Sequence, residues 1–287
     1  MKKSLFYLAL IILLCATVLL AALLIRENRV DRRPPTISFS DAVLELSTRD
    51  PEQAYLQGVT AEDNVDGDVT DSLVVASVQL INKDGTIDVT YAAFDAAGNV
   101  TKAVRRARYT DYESPRFDLS RSPTFLVNSD LDIFSIVKAT DGFDGDISHR
   151  VRITALTEEP INSLGVHRLL MSVSNSLGET VTVEIPLEFY ANGSYNAELT
   201  LTDYMVYLPL GTELDSESFL DTFTTSGGSV SLRNGLPEGY SLNVTSDVQS
   251  HEPGVYTVEY RVTRAINVGG GTGTYTGYAK LIVVVEG

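Results

Sequence analysis

The sequence predicts an all-β protein, with three small β-sandwiches in tandem preceded by one N-terminal transmembrane helix. Three observations carry this. An uncharged run fills Leu5 to Ile25. The rest of the chain repeats one pattern three times, at spacings of 80 and 82 residues. Within each copy apolar and polar residues alternate, and no amphipathic helical period of useful length occurs outside the first run.

The 21 positions of LFYLALIILLCATVLLAALLI span roughly the 30 Å hydrocarbon core at about 1.5 Å per residue. A cleaved signal peptide has a shorter apolar core followed by small residues at the cleavage site, and no such pattern follows here. Lipidation at Cys15 calls for a small residue before it, but Leu14 stands there and ten more uncharged residues follow. The reading is therefore an uncleaved anchor over residues 1–25, with a juxtamembrane stalk over 26–33. Lys2 and Lys3 precede the run, while Arg26, Arg29, Arg32 and Arg33 follow it, so a plain count of flanking positive charge favours an inward soluble part. Long domains translocate regardless of nearby charge.

Beyond the anchor, PTISF from Pro35, PRFDL from Pro115 and AELTL from Ala197 open three similar segments. Each reaches a glycine and an alternating run. The inward positions are Ile87, Val89, Tyr91 and Ala93, then His167, Leu169, Met171 and Val173, then Tyr256, Val258, Tyr260 and Val262. A period of two means strands with one face buried and one wet. A second turn follows as DAAGN (Asp95–Asn99) and NSLGE (Asn175–Glu179), and then a last strand. The expected domains are 34–113, 114–191 and a divergent 195–287. Their short linkers, DYESP and ANGSY, suit a semi-extended series of units.

The most unusual motif is DNVDGDVTD, Asp63 to Asp71, which returns 78 residues later as DGFDGDIS, Asp141 to Ser148. Set beside GTIDVTYAAFDAAGNVTKAVRRARY, it resembles the bacterial immunoglobulin-like domain of surface proteins and of a class of pesticidal crystal proteins, related to hyaline-repeat modules. The residues that carry the resemblance are Asp63, Asp66, Gly67 and Asp68 in one turn, and Tyr91, Asp95, Gly98 and Asn99 in the other. It extends over 34–113. Over 114–191 Asn175 and Glu179 depart from the pattern, and over 195–287 the acidic turn is missing and Arg264 stands in the place of Asp95. The resemblance implies an extracellular, non-catalytic Ig-like sandwich, a spacer or adhesion module, and implies no ligand.

Asp63, Asp66, Asp68 and Asp95 are candidate Ca²⁺ ligands, as are Asp141, Asp144 and Asp146 in the second copy, because clustered carboxylates supply hard oxygen donors. The competing reading is an acidic turn whose carboxylates bond local amides. The spacing is not that of an EF-hand.

Other chemistries find no support. His149, His167 and His251 enter no metal or nucleophile motif, and His167 falls at an inward, half-buried strand position. Asn267–Gly277, NVGGGTGTYTG, lies between strands rather than before a helix, so it reads as a long hairpin loop, not a phosphate cradle. The sequons at Asn99, Asn192 and Asn243 matter only in a eukaryotic secretory pathway. A charge of −16, from 38 acidic against 22 basic side chains, disfavours nucleic acid. Cys15 is the single cysteine, so no disulfide staples the sandwiches. Fourteen tyrosines without a tryptophan weaken carbohydrate stacking.

The expectation is a non-catalytic surface protein of structural or adhesion type, calling for no cofactor beyond candidate Ca²⁺. It would be held in the cell membrane through residues 5–25, with 34–287 extracellular. Cell-wall glycan or a surface protein are the candidate partners. The alternative is a Ca²⁺- or glycan-binding accessory of a secreted complex.

Overall fold

The computed structural model describes residues 10–21, 31–40, 43–80, 82–130, 132–156, 160–268 and 271–287. It divides into two compact units, Met1–Tyr112 and Glu113–Gly287.

Residues 10–21 are helical, and Cys15 is exposed on that helix. Among the described residues no helix is long and apolar enough to cross a membrane. This overturns the single-pass placement in the cell membrane with 34–287 extracellular. Twelve helical residues rise about 18 Å, well short of the roughly 30 Å that a span requires. The flanking parts of the expected anchor, 1–9 and 22–25, lie outside the described residues, as does most of the expected stalk.

Among the described residues the first unit holds seven strands: β1 (Thr36–Phe39), β2 (Leu44–Leu46), β3 (Val59–Asp63), β4 (Gly67–Asp68), β5 (Val74–Leu80), β6 (Thr86–Phe94) and β7 (Val100–Tyr109). They form a three-stranded sheet, β1-β3-β4, and a four-stranded sheet, β2-β7-β6-β5. Ile87, Val89, Tyr91 and Ala93 of β6 are all fully buried, so its alternation does face the core. The Tyr91 hydroxyl donates to the Tyr55 carbonyl at 2.7 Å, and the Tyr55 and Tyr109 hydroxyls bond each other. Arg105 is buried, gives Nη1–H to the Gln57 carbonyl at 2.7 Å and sits over the Phe39 ring. An inward arginine on β7 is tolerated where its head finds a carbonyl and an aromatic face.

The second unit repeats this layout twice. Its first set is β8 (Arg116–Leu119), β9 (Thr124–Leu126), β10 (Val137–Asp141), β11 (Gly145–Asp146), β12 (Arg152–Ala155), β13 (Gly165–Ser174) and β14 (Thr180–Tyr190). The sheets run β11-β10-β8 and β12-β13-β14-β9. The other set is β15 (Glu198–Leu201), β16 (Met205–Pro209), β17 (Leu220–Thr225), β18 (Gly228–Ser231), β19 (Tyr240–Ser246), β20 (Gly254–Val268) and β21 (Gly271–Glu286), paired as β15-β17-β18 and β16-β21-β20-β19. Three similar sheet pairs thus follow one another, as tandem β-sandwiches do.

The two sandwiches of the second unit share apolar packing. Met205 and Ile282 of the third repeat are buried in the cluster built from Phe117, Leu119, Met171 and Leu187 of the second. The Tyr207 hydroxyl accepts from Phe117 N–H at 2.8 Å, and Arg116 pairs with Glu286 at 2.8 Å. The linker expected to space these two repeats is itself packed, since Tyr195 lies edge-on to Tyr190 and stacks on Tyr278.

Two further expectations change. His167 is buried at 2% exposure rather than half-buried, with Nε2 2.8 Å from the Ser163 carbonyl and its ring edge-on to Phe189. The glycine-rich stretch Asn267–Gly277 is largely strand, not loop: pairing runs on from Thr263↔Thr276 to Val268↔Gly271. Thr272, Thr274, Tyr275 and Thr276 supply the β-branched and aromatic side chains that favour extended backbone between the glycines.

Candidate cation site

The first acidic motif is the β3–β4 turn. Asp63 ends β3 with its side chain inward, and Gly67, at φ +75°, makes the left-handed step that reverses the chain. Asp63 Oδ1 accepts the N–H groups of Val65 at 2.7 Å and Asp66 at 3.0 Å. These bonds, that of Asp66 first, hold the Asp63 carboxyl below the usual carboxylate range, so it is charged at neutral pH.

Asp66 and Asp68 point elsewhere. Asp66 Oδ2 accepts from Ala96 N–H at 2.8 Å, bracing this turn against the β6–β7 turn. Asp68 Oδ1 accepts from Thr70 N–H at 3.0 Å; the Thr70 hydroxyl, then that N–H, lowers its pKa. Both carboxylates do the turn-forming work of the competing reading.

Asp95 opens the β6–β7 turn. Its Oδ1 accepts from Asn99 N–H at 2.7 Å and its Oδ2 from Asn99 Nδ2 at 2.6 Å. The same amide also donates to the Asp31 carbonyl at 3.1 Å. That bond ties the segment before β1 to the β6–β7 turn. Carboxylate oxygens of Asp31, Asp63 and Asp95 consequently lie within 4.8 Å of one another. Two of the four candidates from the sequence, Asp63 and Asp95, therefore meet. Asp31 joins them, and Asp66 and Asp68 do not. No local spacing could have flagged Asp31, which is 32 residues from Asp63.

The second repeat shows the same frame in a neutralised form. Asp141 Oδ1 accepts from Phe143 and Asp144 N–H at 2.9 and 2.8 Å, copying Asp63. Its Oδ2, however, accepts from Asn175 Nδ2 at 3.1 Å, where the first repeat has Asp95. Asp144 takes Ser176 N–H and hydroxyl and the Arg150 guanidinium, the last at 2.5 Å. Asp146 takes Ser148 N–H at 2.9 Å and its hydroxyl at 2.6 Å, which lowers its pKa. All three second-copy candidates are thus held by protein donors. In the third repeat the β17–β18 turn lacks acids, and Arg264, at the place of Asp95, lies over the Tyr240 ring.

No family model matches the sequence, and no curated protein does. The pesticidal-crystal and hyaline-repeat resemblance is accordingly carried by its motifs alone. Solved structures similar to the chain include the extracellular cadherin domains 1–5 of protocadherin gamma B2. That likeness is 10% identical with a TM-score of 0.20, covering 88% of this chain and 60% of that one. Domains EC1–3 of Drosophila N-cadherin are 12% identical with a TM-score of 0.31, covering 86% and 99%. The CBM51-2 and INT domains of Clostridium perfringens ZmpB, the former in complex with GlcNAc, are 12% identical with a TM-score of 0.23, covering 87% and 44%. Likeness this loose carries no argument about function.

Proposed function

We propose that this chain is a non-catalytic structural module of adhesion type, whose sandwiches transmit tension along the polypeptide. The carrying observation is how each repeat closes. A strand near its start pairs in parallel with its last strand: Leu44–Leu46 with Ala107–Tyr109, Thr124–Leu126 with Glu188–Tyr190, and Met205–Pro209 with Ile282–Glu286. When the ends of a repeat are pulled apart, parallel partners slide along one another and all their hydrogen bonds are loaded together. An antiparallel hairpin pulled at its open end peels one bond at a time. The experiment is single-molecule extension of the full chain held at its two ends. Abrupt, high-force unfolding steps support the reading, and gradual extension at low force refutes it.

A second reading, binding of cell-wall glycan, is favoured by one feature. A groove of about 420 Å³ in the second unit is lined by Arg121, Tyr190, Asn196 and the stacked rings of Tyr195 and Tyr278, whose centroids are 4.9 Å apart. Aromatic rings beside polar groups suit sugar faces and hydroxyls. Retention of the chain on isolated cell wall, lost in Tyr195→Ala, would support it, and passage straight through the column would remove it.

A further inference from the structure

Among the described residues, the first repeat leaves buried carboxylate oxygens unpaired where the second does not. Oδ2 of Asp63 and Oδ2 of Asp31 are both closed off from solvent and have no hydrogen-bond partner. Asp63 is 8% exposed, and Asp95 is equally buried. None of the three aspartates makes an ion pair among the described residues. A buried carboxylate oxygen without a donor costs several times what a hydrogen-bonded one does, and a facing carboxylate adds repulsion. The second repeat answers the same problem with protein atoms, the Asn175 amide on Asp141. The first repeat puts a third acid at that position instead.

We propose that Asp31, Asp63 and Asp95 hold one calcium ion in the first repeat, and that the ion pins the segment before β1 to the β3–β4 and β6–β7 turns. Calcium takes six to eight oxygens at about 2.3–2.6 Å, so oxygens on opposite sides of the ion are about 5 Å apart, as a cluster within 4.8 Å permits. All three donors are carboxylates, which suit a hard divalent cation rather than a soft one. One aspartate from each of three separate segments makes the ion a cross-link. The ligand set differs from the one that motif spacing suggests, because Asp66 and Asp68 are already committed to Ala96 and Thr70 N–H groups.

The test is the thermal unfolding of the full chain with Ca²⁺ and with chelator, together with calorimetric titration of Ca²⁺. Calcium should raise the melting temperature of the transition belonging to the first unit, Asp31→Asn should remove that shift, and Asp66→Asn should keep it. Asp95→Asn copies the second repeat. It should abolish Ca²⁺ binding while leaving the calcium-free protein at least as stable as the parent, a readout that a merely disruptive substitution would not produce. The proposal is overturned by identical melts with and without Ca²⁺, by retention of the shift in Asp31→Asn, or by a response to Mg²⁺ with none to Ca²⁺. None of these outcomes bears on the force measurement, so the two readings stand or fall separately.

Discussion

Lys280 Nζ lies 2.7 Å from Glu188 Oε2, joining the third repeat to the second by an ion pair in which the lysine side chain is only 4% exposed. Glu259 approaches the same ammonium at 3.1 Å, the Tyr278 hydroxyl donates to Glu188 at 3.1 Å, and Lys280 N–H donates to the Ser122 hydroxyl at 2.9 Å. The lysine is thus paired on both sides of the seam, as a buried charge requires.

Lys280→Met leaves Glu188 beside an apolar neighbour. Removing one partner of a fully buried pair costs about 3–5 kcal/mol. Glu188 and Glu259 keep 22% and 42% of their side chains in water, so about 2–3 kcal/mol is expected here. Urea unfolding of the full chain should show the loss in the Glu113–Gly287 transition alone. An unchanged midpoint would mean that the seam does not depend on this pair.

Gly85→Ala should destabilise the first unit far more than Gly67→Ala, although both glycines have positive φ. At Gly67 (φ +75°) an added Cβ meets nothing within 4 Å, leaving only the left-handed backbone cost of about 1–2 kcal/mol. At Gly85 (φ +84°) the Cβ would sit 2.5 Å from the Tyr109 carbonyl oxygen and 2.9 Å from Tyr112 Cβ, so the backbone of β7 must shift. Equal losses for the two variants in chemical denaturation would contradict this packing.

Tyr91→Phe keeps the ring in the core and removes one hydroxyl. Its bond to the Tyr55 carbonyl is buried, so about 1–3 kcal/mol should be lost. Tyr256→Phe is the control: its hydroxyl reaches the Glu252 carbonyl at 3.0 Å in an exposed setting and should change stability by less than about 0.5 kcal/mol. A cost at position 256 equal to that at 91 would rule out burial as the cause.

High pH should unfold the second unit. Burial pushes the Tyr207 phenol from 10.0 up to about 12, the Phe117 N–H opposing it, and burial raises Tyr204, Tyr260 and Tyr278 too. The folded state therefore prefers the neutral phenol more than the unfolded chain does. That contribution is fully present below pH 10 and is lost as pH rises from about 10 through about 12. Circular dichroism and the ultraviolet tyrosinate band should change together in that window. Complete tyrosine ionisation near pH 10 with the strand signal intact would refute the assignment.

The fold was largely legible because burial in a sandwich leaves a period of two in the sequence. Ile87, Val89, Tyr91 and Ala93 read as one inward face and are one. His167 read as a half-buried residue at an inward strand position, and it is buried outright because its ring nitrogen meets the Ser163 carbonyl and its ring edge meets Phe189. The loop expected at Asn267–Gly277 failed for the opposite reason: its glycines hid threonines and a tyrosine that sustain the ladder. Of the long apolar run the described residues are 10–21, and among them no helix is long and apolar enough to cross a membrane.

The sequence by itself determined three repeats, their alternating strands and the acidic turns, because each depends on residues a few positions apart. Tertiary structure alone decided that Asp31 meets Asp63 and Asp95, that Asn175 neutralises Asp141, and that Lys280 is buried against Glu188. Those relationships join segments 32 to 92 residues apart. Local periodicity records which way a side chain faces, but which groups then lie opposite one another is set by how whole sheets and turns pack.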